Sequence, residues 1–204
     1  MLKYKHIIFD FDGTLSDSYP SFVKAMSIVM QKYGIEKQEG EIYYLLKRYS
    51  TAYIFDNCGF GQSKEEAKIL FRTISNELLS TDALPISGAE EILSFIPASG
   101  GKSYIYSHSG DIVISNVNRW KLDGFFTDYQ LGEKKFPRKP APDALLDLMN
   151  RNGLKAEECI MVGDSLNHDI MPASELGIKA IWVTDEESSD YQTIKSIYEL
   201  KDIL

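Results

Sequence analysis

The chain has little cysteine, few histidines, no excess of basic charge and no long apolar run, and each shortage excludes a class of protein. Its two cysteines, Cys58 and Cys159, stand far apart in 204 residues and without metal-ligand spacing. They predict free thiols in a reducing compartment, not a disulfide scaffold or a zinc site. Lysine and arginine number 22 against 30 aspartates and glutamates, a net charge of −8. That balance argues against a nucleic-acid partner held by bulk electrostatics, and any anionic substrate must be drawn in locally, by a metal or a few placed cations. No stretch approaches the roughly 18 apolar residues of a membrane span. Asp10 and Asp12 interrupt the first apolar run too early for a signal peptide. A cytoplasmic protein without a membrane partner is expected.

What is present is an ordinary globular composition, 44% apolar and 25% charged, with enough length for one domain and an insertion. The apolar runs HIIFD, SYIYS and CIMVG read as buried parallel strands, with KAIWVT and FTDYQL as two more. Helical patterns separate most of them. SGAEEILSFI opens with Ser87 and Glu90 at capping-box spacing, and APDALLDLMNRNG has Pro142 in its first turn and Gly153 past its end. The interval from about Ser16 to Asp82 instead carries three amphipathic helical patterns and no strand. In the first, Phe22, Met26, Val29, Met30 and Tyr33 form the stripe; the third opens with Ser63 and Glu66 as another capping box. The expectation is an α/β fold, a Rossmann-like parallel sheet with helices on both faces over residues 1–15 and 83–204. A small all-helical domain over residues 16–82 is inserted after the first strand.

Ligands of open α/β sheets sit outside the carboxyl ends of the strands, and three of these ends carry polar chemistry. HIIFDFDGTL ends in Asp10 and Asp12, which point the same way because they are two apart. SYIYS runs into SHSG from Ser107, and CIMVG into GDSLNHD with Asp164 and Asp169. Two carboxylates ~4 Å apart repel by ~4 kcal/mol at an effective dielectric near 20. Gathering these aspartates in one cleft therefore calls for a cation, and an all-oxygen donor set suits Mg²⁺ better than zinc. GGKS at Gly100–Ser103 lacks the earlier glycine of a phosphate-binding loop and leads into a strand.

DFDGTL, the apolar run ending at Ser107, the Lys139 of RKPAPD and VGDSLNHD together resemble the four ordered motifs of the haloacid dehalogenase superfamily. The helical insertion is similar to the cap of its phosphoglycolate phosphatase and β-phosphoglucomutase branch. The resemblance implies an enzyme in which Asp10 is the nucleophile and Asp12 the general acid and base. It implies that Ser107 and the N–H groups after it hold phosphoryl oxygens, and that Lys139 neutralises developing charge. Mg²⁺ would be held by Asp10, Asp164, Asp169 and the Asp12 carbonyl. His108, Ser109 and, in the insertion, Lys47 and Arg48 are candidate substrate contacts. His108 departs from the small polar residue common at its place, and His168 sits inside the metal loop. The implied activity is hydrolysis of a small-molecule phosphate monoester by a monomer or weak homodimer. A phosphosugar mutase and a non-catalytic phosphate-binding module are the alternatives.

Overall fold

The computed structural model describes residues 2–132 and 135–204. Its first strand, β1 (His6–Phe9), buries Ile7, Ile8 and Phe9 completely, as a strand covered on both faces must. The short segment β2 (Ser16–Asp17) pairs with β3 (Leu84–Pro85), where the chain leaves and re-enters the α/β unit. Then come β4 (Lys102–Tyr106), β5 (Phe126–Gln130), β6 (Cys159–Gly163), β7 (Lys179–Val183) and β8 (Gln192–Ile194). The main sheet runs β5-β4-β1-β6-β7-β8 with every pair parallel.

Side-chain alternation divides the core in two. Ile7 and Phe9 join Ile105, Ile160, Val162 and Ile181 on one face, with residues of the helices Ala89–Ala98 and Ile112–Arg119. Ile8 joins Tyr104, Tyr106, Met161 and Trp182 on the other, with Leu145 and Leu148 of the helix Asp143–Asn152. Helices thus cover both faces, the Rossmann-like arrangement expected. β8 was not anticipated: it is three residues long and only Ile194 is buried.

Residues Met1–Ser16 with Pro85–Leu204 form one compact unit, and Asp17–Leu84 another. The second contains α1 (Tyr19–Lys32), α2 (Glu39–Arg48), α3 (Thr51–Asn57) and α4 (Lys64–Thr81) around its own core of Met26, Val29, Ile42, Ile54, Phe55 and Phe71. α3 is a fourth helix beyond the three expected. On α1 the expected stripe faces the core: Met26, Val29 and Met30 are buried and Phe22 and Tyr33 pack half-buried against them, with Val23 and Ala25 widening the packed face. The helices of the α/β unit are α5 (Ala89–Ala98), α6 (Ile112–Arg119), α7 (Asp143–Asn152) and α8 (Met171–Glu175).

Two capping boxes do not form. α5 starts from Gly88 at φ 87°, and neither there nor at Ser63 before α4 does a side chain cap the helix. A capping box occurs instead at Ser196 and Glu199, ahead of the 3₁₀ turn Ile197–Asp202. Pro142 stands just before the first turn of α7, while Gly153 closes that helix at φ 64°, as expected.

From β1 the chain runs to β4 and β5 on one side, then crosses back to β6, β7 and β8 on the other. The crevice at the carboxyl end of β1 is therefore the topological switch point at which such sheets bind ligands.

Candidate active site

Asp10 directly follows β1, and its N–H donates to the Val162 carbonyl at 2.9 Å, so the parallel pairing with β6 carries the residue into the switch point. Asp164 follows β6, with its carbonyl accepting the Trp182 indole N–H at 3.0 Å. Asp169 lies in the π-helical turn Leu166–Ile170. Its N–H donates to the Ser165 carbonyl at 2.9 Å and its Oδ2 accepts the Ser165 N–H at 3.2 Å. All three carboxylates are buried, and one oxygen from each falls within 4.8 Å of the others.

Lys139 arrives from the loop before α7, its carbonyl side joined to Pro140 by a cis peptide bond. Its ammonium has three protons and three acceptors: Asp10 Oδ1 at 2.8 Å, Asp169 Oδ1 at 2.7 Å and the Tyr106 carbonyl at 2.7 Å. It also stands 4.1 Å from the centre of the Tyr106 ring. The side chain of Lys139 is 2% exposed, so a lysine here needs those partners to remain charged.

Among the described residues, three buried carboxylates gather beside the buried Lys139 ammonium, and the Asp10 carboxyl is held well above its usual range by burial, then by Asp169 and Asp164, against the pull of Lys139. Burial alone would lower the Lys139 value, yet Asp10 and Asp169 outweigh it and keep the ammonium protonated. Such a cluster of buried oxygen ligands fits a hard divalent cation, which reverses the local balance. A Cβ added at Gly163 would lie 2.5 Å from Asp169 Cβ and 2.7 Å from its Cγ. The absence of a side chain at Gly163 is therefore what lets Asp169 approach the end of β6.

Asp12 lies apart from this trio. Its Oδ2 accepts the Ser109 hydroxyl at 2.5 Å, and its carboxylate stands outside the three that converge, in keeping with an expected metal contact through its carbonyl and not its side chain. Ser107 is buried and donates its N–H to the Gln130 carbonyl at 2.9 Å. Its Oγ accepts the Ser109 N–H at 3.0 Å, which engages one of the N–H groups expected to meet a phosphoryl oxygen. His108 Nε2 accepts the backbone N–H of Lys139. Its ring stands 6.2 Å from that of His168, which pairs through Nδ1 with Ser165 Oγ at 2.9 Å. A cavity of about 20 Å³, room for one water, lies between Ser107, His108, Phe136, Arg138 and Lys139. Lys47 and Arg48 occupy the last turn of α2 in the helical unit, with Lys47 Nζ 4.9 Å from the centre of the Tyr19 ring.

The model of one family, haloacid dehalogenase-like hydrolase, matches residues 7–183. The chain belongs to the haloacid dehalogenase-like hydrolases and is an enzyme. It is 26% identical over 189 residues to phosphoglycolate phosphatase 1 of Pseudomonas aeruginosa, a match covering 87% of this chain and 68% of that one. A 5'-nucleotidase of the same organism is 25% identical over 190 residues, covering 89% and 83%. Among solved structures, a haloacid dehalogenase-like family hydrolase of Streptococcus pneumoniae superposes with a TM-score of 0.86 at 20% identity, over all of both chains. With a helical unit following its first strand, the chain falls in the phosphoglycolate phosphatase-like branch of that family.

Proposed function

We propose that the chain is a phosphatase that hydrolyses a small-molecule phosphate monoester with Mg²⁺, through an aspartyl-phosphate on Asp10. The observation that carries this reading is the division of labour between two carboxylates two residues apart. Asp10 lies in the buried trio against Lys139, while Asp12 is half-buried on the Ser109 hydroxyl. A carboxylate oxygen of Asp10 attacks phosphorus, and the bond to the ester oxygen breaks. Asp12 gives that oxygen its proton, then takes one from the water that attacks the acyl phosphate. Lys139 holds Asp10 in place and faces the charge that collects on the phosphoryl oxygens. Ser107 shapes the loop beneath them. Asp10, Asp164 and Asp169, with the Asp12 carbonyl, would hold Mg²⁺, which offsets the gathered carboxylates and polarises the phosphoryl group.

The helical unit, expected over residues 16–82, is read as the cap that selects the substrate and excludes water. Lys47 and Arg48 are its candidates for a second anionic group on a substrate such as phosphoglycolate; His108 and Ser109 are those of the α/β unit. A cytoplasmic monomer or weak homodimer suits this role. The test is phosphate release from a panel containing phosphoglycolate, sugar phosphates and nucleotides, with Mg²⁺ or excess chelator, for the wild type and Asp10→Asn. Metal-dependent release that vanishes in the variant supports the reading. Turnover that survives Asp10→Asn, or interconversion of β-glucose 1-phosphate without phosphate release once a bisphosphate primer is added, refutes it.

A further inference from the structure

His108 touches Lys139 through the main chain, away from the ammonium. Because Nε2 accepts the Lys139 backbone N–H, the neutral ring carries its proton on Nδ1. Burial first, then Lys139, Arg138 and His168, push the His108 pKa down to about 2, so the acceptor lone pair is present at any working pH.

The same ring stands at a joint between two loops. The loop after β4 carries Ser107 and Ser109; the segment after β5 leads to Lys139. Backbone bonds fasten them near β5: Ser107 N–H to Gln130 O at 2.9 Å and Gly132 N–H to Ser109 O at 3.1 Å. A Cβ at Gly132 would lie 2.0 Å from the His108 carbonyl oxygen, so the two segments touch there backbone to backbone. His108 carries the joint on to Lys139, seven residues past Gly132. A lysine side chain is a flexible four-carbon stem. Three acceptors orient its tip, but the place of its Cα depends on what holds the main chain.

We infer that His108 is a positioning residue: through the Lys139 backbone N–H it fixes where the Lys139 ammonium stands against Asp10 and Asp169, and ties that placement to the loop of Ser107 and Ser109. The inference rests on the reading of Lys139 and Asp10 as catalytic groups given above.

Glutamine can present an amide oxygen near the position of Nε2, whereas leucine fills the space without an acceptor. His108→Leu, His108→Gln and Lys139→Ala are compared in the full chain with saturating Mg²⁺, by kcat, KM, melting temperature and the Lys139 amide proton resonance. His108→Leu is expected to lose about tenfold in kcat with KM nearly unchanged, the effect of removing one buried hydrogen bond that positions a reacting group. His108→Gln should recover most of that loss. The Lys139 amide proton should move upfield in His108→Leu and return towards its original position in His108→Gln. Should His108→Leu not fold, His108→Asn, whose amide ends one bond short, replaces it. Wild-type kcat with an unmoved amide resonance in the leucine variant would overturn the inference. So would a loss confined to KM, or a glutamine variant as slow as leucine at equal melting temperature. Full turnover by Lys139→Ala would remove the reading beneath it, an outcome separate from any result at His108.

Discussion

Gly163→Ala is a one-carbon change on which the site's geometry places a large penalty. The new Cβ would sit 2.5 Å from Asp169 Cβ and 2.7 Å from both Cγ and Oδ2. Carbon atoms in contact rest about 3.5–4.0 Å apart, so Asp169 must retreat by about 1 Å. Its Oδ1 is 2.7 Å from Lys139 Nζ, and its Oδ2 accepts the Ser165 N–H; a retreat of that size breaks these bonds or drags Lys139 away from Asp10. Overpacking of a filled interior costs about 1–3 kcal/mol, and at this chain length each kcal/mol moves the melting temperature by about 2–4 °C. Displacing a catalytic group by about 1 Å costs on the order of a hundredfold in rate. Calorimetry and metal-dependent phosphate release read the two effects separately. The rate should fall by far more than the residual loss of folded protein explains. A variant with the melting temperature and turnover of the wild type would refute the claim that Gly163 sets the position of Asp169.

Lys139→Met should destabilise the metal-free protein by about 3–5 kcal/mol, because it leaves Asp10 and Asp169 buried without their counter-ion; unchanged denaturant midpoints would contradict this. Mg²⁺ should restore part of the loss, since a cation replaces the missing charge. The stabilisation by Mg²⁺ should also depend on pH. The folded Asp10 carboxyl titrates well above its ordinary 3.8, so above that value the folded state binds more protons than the unfolded chain. Stability of the metal-free protein then falls as pH rises through the window up to the folded value. The rise in melting temperature on adding Mg²⁺ should therefore be larger near pH 8 than near pH 5. An equal or reversed effect would contradict the raised Asp10 carboxyl.

The parts of this fold legible in the sequence are those where local pattern and tertiary environment agree. β1, β4, β6 and β7 sit in the middle of a parallel sheet, so their sequences are continuous apolar runs. β8 is an edge strand of three residues with one buried, too little for a pattern to register. α3 contributes Ile54 and Phe55 to the helical core but is a single short helix inside a tyrosine-rich stretch. The serines before α4 and α5 have capping-box spacing, yet at α5 the chain enters through Gly88 with positive φ, which leaves Ser87 outside the capping position. The stripe on α1 is legible because Phe22, Met26, Val29, Met30 and Tyr33 all pack in the helical core; Val23 and Ala25 join them, and small or short residues weigh little in an apolar pattern.

The site follows the same division. Asp10, Asp12, Ser107, Asp164 and Asp169 were visible because strand ends in open sheets converge and carboxylates there stand out. Lys139 was found through its motif. No local pattern shows contacts that exist only after distant segments meet. Gly163 looks like any strand-end glycine until Asp169 lies against it. The Tyr106 carbonyl is an anonymous backbone group until it accepts from Lys139, 33 residues away. The partner of His108 is a backbone N–H, which no side-chain pattern announces.

Covalent phosphorylation of Asp10 is tested by trapping the phosphorylated protein. Asp12→Asn is mixed with Mg²⁺ and an aryl phosphate, whose leaving group needs no proton, so that the first step proceeds while the second, which needs Asp12 as base, is slowed. After an acid quench, digestion and mass analysis should find one phosphoryl group, on the peptide that contains Asp10. Phosphoryl transfer to another residue, or turnover of the aryl ester with Asp10 unmodified at every time point, would contradict the account.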